Sequence, residues 1–210
     1  MSLIVTSEYQ LNRVVAPRLP IATKQYDQNY INELNNILRL YFNQLDNIIG
    51  QLRTLSVPYG AFSSDQDQTA VANTATLMTL NTTDFANGVI SSSKITVATA
   101  GIYNLQFSTQ FANTDTAFQD VYIWLKQSGV DIPGSTGFVS IPNRHAGTDG
   151  HAIVGWNYFL SMTAGQYIEI YWSVPNVGVT IQHLAASGTP TKPSTQSVVA
   201  TLSFVSALPP

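Results

Sequence analysis

Residues 102–111 read IYNLQFSTQF, and the alternation within them decides the class of fold. Tyr103, Leu105, Phe107 and Phe111 fall on one face of an extended chain, and Asn104, Gln106, Ser108 and Gln110 fall on the other. Successive side chains of a strand point to opposite sides, so this stretch reads as a strand with one face on a core and one toward water. The period recurs downstream. YIEIYWSV sets Ile168, Ile170, Trp172 and Val174 on one face, VVATLSFV does the same with Val198, Ala200, Leu202 and Phe204, and VYIWL and VGVTIQHL alternate likewise. Turn formers separate these runs: TAG before Ile102, QSG after Lys126, PGSTG at 133–137, TDG at 148–150 and TAG before Gln166. Short strands joined by such turns predict a mainly β chain, folded as an antiparallel sandwich over residues 57–210.

The period changes ahead of the strands. In INELNNILRLYFNQLDNIIGQLRTL, residues 31–55, the apolar side chains Ile31, Leu34, Leu38, Tyr41, Leu45, Ile48, Leu52 and Leu55 recur at alternating spacings of three and four. That is a heptad seam on a helix, expected over residues 26–56. Tyr30, Ile37, Phe42 and Ile49 flank the seam and widen it beyond the narrow stripe a two-stranded coil buries, which favours three or more helices. The alternative is a helix laid across its own β domain, but packing on a sheet requires no sustained 3.5-residue period. Residues 1–25 contain RVVAPRLPIATK, where Pro17 and Pro20 remove backbone donors and bias their neighbours toward extended conformation. They read as an arm suited to attachment.

Composition narrows the partners. Only 10% of the 210 residues are charged, against roughly 25% in ordinary soluble domains, so Ser, Thr, Asn and Gln must supply the polar surface. A net charge of -3 and singly scattered Lys and Arg offer nothing to neutralise a phosphate backbone, and nucleic acid is not expected as a partner. No run of about 18 apolar residues and no basic, apolar leader is visible, so neither membrane insertion nor a signal peptide is expected. With no cysteine, disulfides and thiolate zinc sites are excluded, and stability must come from packing or association.

Four stretches, in order, resemble the C1q/TNF-like jelly roll, the trimeric globular head found on collagen-like proteins and on many phage fibres. TAGIYNLQFS resembles that family's G-x-Y-x-F strand through Gly101, Tyr103 and Phe107, with one extra residue between Tyr and Phe. VYIWLKQSGVDIPGS resembles its strand and lysine-x-x-glycine tip, GWNYFLSMTAGQYIEIYWS its strand, A-G turn and strand, and SVVATLSFV its closing strand. The resemblance spans roughly residues 59–206. A heptad helix stands where animal members carry a collagen stem, and the end ATLSFVSALPP departs from their closing strand. The lead segment RLPIATKQYDQNYINELNNILRLYFNQLDN is similar to the front of structural proteins of marine bacteriophages, especially those of cyanobacteria. The resemblance implies a homotrimeric virion appendage of arm, coiled-coil stem and jelly-roll head. Its implied partners are copies of itself, other virion proteins through the arm, and a host cell-surface glycan. Alternatives are a capsid or neck decoration protein of the same fold, a bacterial surface adhesin and a polysaccharide-cleaving fibre.

Catalytic patterns are missing. There is no G-x-S-x-G elbow or ordered Ser, Asp and His set, and the few acids, among them Asp65, Asp67, Asp115, Asp120, Asp131 and Asp149, lie in turn-like segments. No enzymatic activity and no cofactor are expected. RHAGTDGH, residues 144–151, concentrates hydrogen-bonding groups, and Asn143, Arg144, His145 and Asp149 are the candidate host-binding residues, against the simpler reading of a solvated hairpin with Asp149-Gly150 at its tip. His145, Asp149 and His151 match no zinc spacing, and His183 reads as a packed histidine near a strand end. Aromatic clusters in WNYF and YWSV suit sugar stacking and core filling equally.

Overall fold

The computed structural model describes residues 15–22, 24–53 and 57–208. Leu55 and residues 1–14 of the expected arm lie outside them. The chain divides into two compact units, Met1–Ser56 and Val57–Pro210. It is mainly antiparallel β-sheet with one α-helix, as the two periods in the sequence predict.

In the first unit, α1 runs from Gln28 to Arg53. Asp27 starts it: its Oδ1 accepts the Asn29 amide at 2.8 Å, a donor with no partner within the first turn, and its carbonyl accepts the first intrahelical bond, from the Ile31 amide at 3.2 Å. At about 1.5 Å per residue, 26 residues extend about 39 Å. No helix side chain described, through Ile49, is buried: Leu34, Leu38, Tyr41, Leu45 and Ile48 are half-buried, and Ile31, Leu40, Phe42 and Ile49 are exposed. Leu52 lies within the helix. No helix among the described residues is long and apolar enough to cross a membrane.

The second unit is built around β7, Gly101–Asn113. Along one edge it pairs over its whole length with β11, Gly150–Met162. Along the other it pairs first with β16, Val198–Ser206, and then with β13, Val179–Ile181. β1 (Tyr59–Ser64) joins β16, β4 (Thr82–Asn87) joins β1, and the two-residue β2 (Gln68–Thr69) joins β13. The second sheet centres on β12, Tyr167–Ser173. It pairs on one edge with β8 (Gln119–Gln127) and on the other with β6 (Ile95–Val97) and β3 (Thr76–Leu77). β10 (Gly137–Ile141) and β9 (Val130–Asp131) flank β8, and β5 (Val89–Ile90) extends β6. A small ribbon of β14 (Ser187–Gly188) and β15 (Thr191–Lys192) lies apart from both.

The alternating faces meet in one core. Tyr103, Leu105, Phe107 and Phe111 of β7, with Val198, Ala200 and Leu202 of β16, pack with Val121, Ile123 and Leu125 of β8 and Ile168, Ile170 and Trp172 of β12. Phe111 and Trp172 join the two sheets directly, with ring centroids 5.6 Å apart. Turn chemistry follows the sequence at most tips. Ser128 and Gly129 both have positive φ, the two-residue hairpin connection that matches strand twist, and Gly165 has φ +82° at the tip between β11 and β12. The exception is TDG. The tip between β10 and β11 is Ala146-Gly147, both at positive φ, while Gly150 opens β11. Gly150 is needed there for a different reason, since a Cβ would collide with the Pro142 carbonyl. Replacing Trp172 with Ala removes the bridge between the sheets and should cost about 3–5 kcal/mol in denaturant unfolding, whereas Val71→Ala, 69% exposed, should stay within about 0.5 kcal/mol.

Candidate functional site

Three loops gather at one end of the strand domain: 114–118 after β7, 142–149 between β10 and β11, and 174–178 after β12. Asn113, fully buried at the end of β7, ties the first two, and Thr114 links the third. Its Nδ2 donates to the carbonyls of Ala117 and Pro142, both at 3.0 Å, and its Oδ1 accepts the Asp115 amide at 2.9 Å. The Arg144 amide donates to the Asp115 carbonyl at 2.7 Å, and the Thr114 amide and hydroxyl both donate to the Gly178 carbonyl at 3.0 Å. A side chain at 178 would strike the Asp115 carboxylate, so the glycine permits this close approach. The buried amide thereby satisfies carbonyls that would otherwise be stranded at the sheet end.

The four candidate host-binding residues come together in loop 142–149, but most of their polar groups serve the loop itself. Arg144 Nε lies 3.4 Å from Asp149 Oδ1, and an Arg144 terminal nitrogen donates to the Gly147 carbonyl at 3.3 Å. Asn143 Nδ2 donates to the Arg144 carbonyl at 3.1 Å. The His145 and Thr148 backbones exchange two 2.9 Å bonds across the Ala146-Gly147 tip and leave the His145 side chain exposed. Among the described residues no group of three His or acidic side chains is placed to hold a metal ion, so His145, Asp149 and His151 do not converge. His151 is displayed on the outer face of the first sheet, beside Gln110, Ile153 and Leu184.

A second polar junction lies at loop 65–67. Asp65 accepts a 2.6 Å bond from Asn81 Nδ2 and a 2.9 Å bond from Gln66 Nε2; the first of these, more than the second, holds its carboxyl below the usual carboxylate range. Because the folded value is depressed, the interaction favours the folded state above the unfolded carboxyl's pKa and is lost as pH falls through the lower folded value. Asp67 accepts the His183 amide at 2.7 Å. His183 is half-buried two residues beyond β13, the packed histidine the alternation suggests, with Nδ1 buried and unpartnered.

The aromatic strings divide between core and surface. Trp172 is core, Trp156 and Tyr158 are half-buried, and Phe159 is exposed. No protein-family model and no curated protein matches the chain. Asn113→Ala should cost about 1–3 kcal/mol by stranding buried backbone groups, and hydrogen exchange should speed up together in 114–118 and 142–149 while the centre of β7 stays protected.

Proposed function

We propose that the chain is a structural protein of a bacteriophage particle: a homotrimer with an attachment arm, a coiled-coil stem and a C1q/TNF-like jelly-roll head that meets the host surface. The observation that carries this reading is the helix, whose long apolar stripe holds no buried side chain among those described. A stripe of seam residues Ile31 to Ile48 with apolar flanks Tyr30, Ile37, Phe42 and Ile49 is covered well by two further helices of the same kind. The pairing order of the main strands supports the jelly-roll reading. It runs β1, β16, β7, β11 in one sheet and β6, β12, β8, β10 in the other, so that first and last strands are neighbours and consecutive strands often change sheet.

The proposed trimer suits an attachment role. Three copies of a weak binding face on one stem gain avidity for a repetitive surface without tight individual contacts. A gold-labelled antibody against residues 57–210 should decorate purified virions at one kind of appendage; absence of label from intact particles would overturn the assignment. Leu45→Asp should convert a wild-type trimer to monomer in sedimentation at micromolar concentration, because burying unpaired carboxylates in one layer costs several kcal/mol. Changing Arg144, His145 and Asp149 together to Ala should lower adsorption to host cells with the trimer intact, and neither form should release sugar fragments.

A further inference from the structure

The outer face of the second sheet carries an arrangement that neither the core nor the loop cluster uses. Four aromatic side chains lie side by side across three neighbouring strands: Phe138 on β10, Tyr122 and Trp124 on β8, and Tyr171 on β12. Phe138 stands directly opposite Tyr122, with ring centroids 6.1 Å apart and planes inclined by 34°. Trp124 stands opposite Tyr171 at 5.9 Å and 30°. Tyr122 and Trp124 are two residues apart on one strand, about 6.6 Å along it, and adjacent strands lie about 4.8 Å apart, so the rings tile one continuous shallow platform. Cross-strand pairing of aromatics stabilises a sheet, but it does not by itself account for gathering Phe138, 71% exposed, and Tyr122, 43% exposed, with two further rings on one face.

The charges on the same face are spent on one another. Lys126 Nζ lies 3.5 Å from Asp131 and 4.5 Å from the Tyr171 ring centroid, and Trp124 Nε1 donates to Asp131 at 2.7 Å. Ser140 donates to Asp120 beside the Phe138–Tyr122 pair, and Lys94 pairs with the buried Glu169 at 3.9 Å. Paired charges of both signs give no field for a phosphate or a membrane surface, yet they leave carboxylate, hydroxyl and ammonium groups around the rim of apolar rings. That complements a ligand with flat apolar C–H faces and hydroxyls at its edges. We infer that this face binds neutral pyranose saccharide chains, the rings stacking on sugar C–H faces while Asp120, Ser140, Asp131 and Lys126 exchange hydrogen bonds with hydroxyls. The inference deepens the attachment reading and rests on it only for the biological source of the glycan.

The probe is a printed array of bacterial surface polysaccharides and neutral oligosaccharides, read with the full-length protein. Wild type should bind a subset of the neutral glycans. Tyr122→Ser with Phe138→Ser should weaken that binding roughly tenfold or more, while the ring-preserving pair Tyr122→Phe and Phe138→Tyr should retain it. Phe85→Ser, at an exposed aromatic position in the other sheet, should leave it unchanged. Trp124 fluorescence should respond to a bound glycan in wild type, which keeps the test decisive if the double Ser variant misfolds. No binding by wild type, binding unaffected in the folded double Ser variant, or equal loss in Phe85→Ser would each overturn the inference. Such failure leaves labelling of virions untouched, and absence of label leaves glycan binding untouched, so the two readings fail separately.

Discussion

Pairing of β7 along both edges is the constraint on which the strand domain depends. β11 covers one edge from Gly101 to Asn113, and β16 and β13 share the other from Ile102 to Asn113, so the strand is held by backbone bonds on both sides over nearly all of its length. Its odd-numbered face from Tyr103 to Phe111 is buried by the same arrangement. A slip of one residue would bring Asn104, Gln106 and Gln110 into the core, and the cost of burying three unpaired amides excludes it. β7 also ends on Asn113, which carries the order of the sheet into the surrounding loops.

A chain poor in charge must organise its surface with amides and hydroxyls. Asn113, Asn81 and Gln68 each satisfy backbone groups or carboxylates at strand ends, where ladders stop and donors and acceptors would be stranded. The same economy shapes loop 142–149. Arg144 and Asp149 neutralise one another and hold the tip, so His145 is the group it presents most freely. The loop's capacity for recognition and its shape therefore draw on overlapping side chains.

The two units solve apolar burial differently. Residues 57–208 cover their apolar faces within one chain by setting sheet against sheet. Helix α1 carries an apolar stripe with no buried side chain among those described, a surface that association would remove from water.

Secondary structure was largely legible from periodicity. Period two over 102–111 and 198–205 and period 3.5 over 31–55 placed strands and helix, because burial on one face imposes the repeat on the residues themselves. The sandwich class and the buried sets of β7, β8, β12 and β16 followed from the same repeat. Tips with a local requirement were legible too, as at Ser128-Gly129 and Gly165, where a positive φ is demanded by the turn alone. The tip between β10 and β11 was not. Asp149-Gly150 has the composition of a turn, but Gly150 is required by the Pro142 carbonyl at the other end of the same loop, a close approach set by how the loop folds and not by the composition of its tip. The aromatic platform was hidden as well: Tyr122, Trp124, Phe138 and Tyr171 belong to three strands, and only the registers of β10, β8 and β12 decide that their rings are neighbours. Alternation determines which way a side chain points; which side chains stand next to it is decided by strand pairing, a long-range choice settled by the core as a whole.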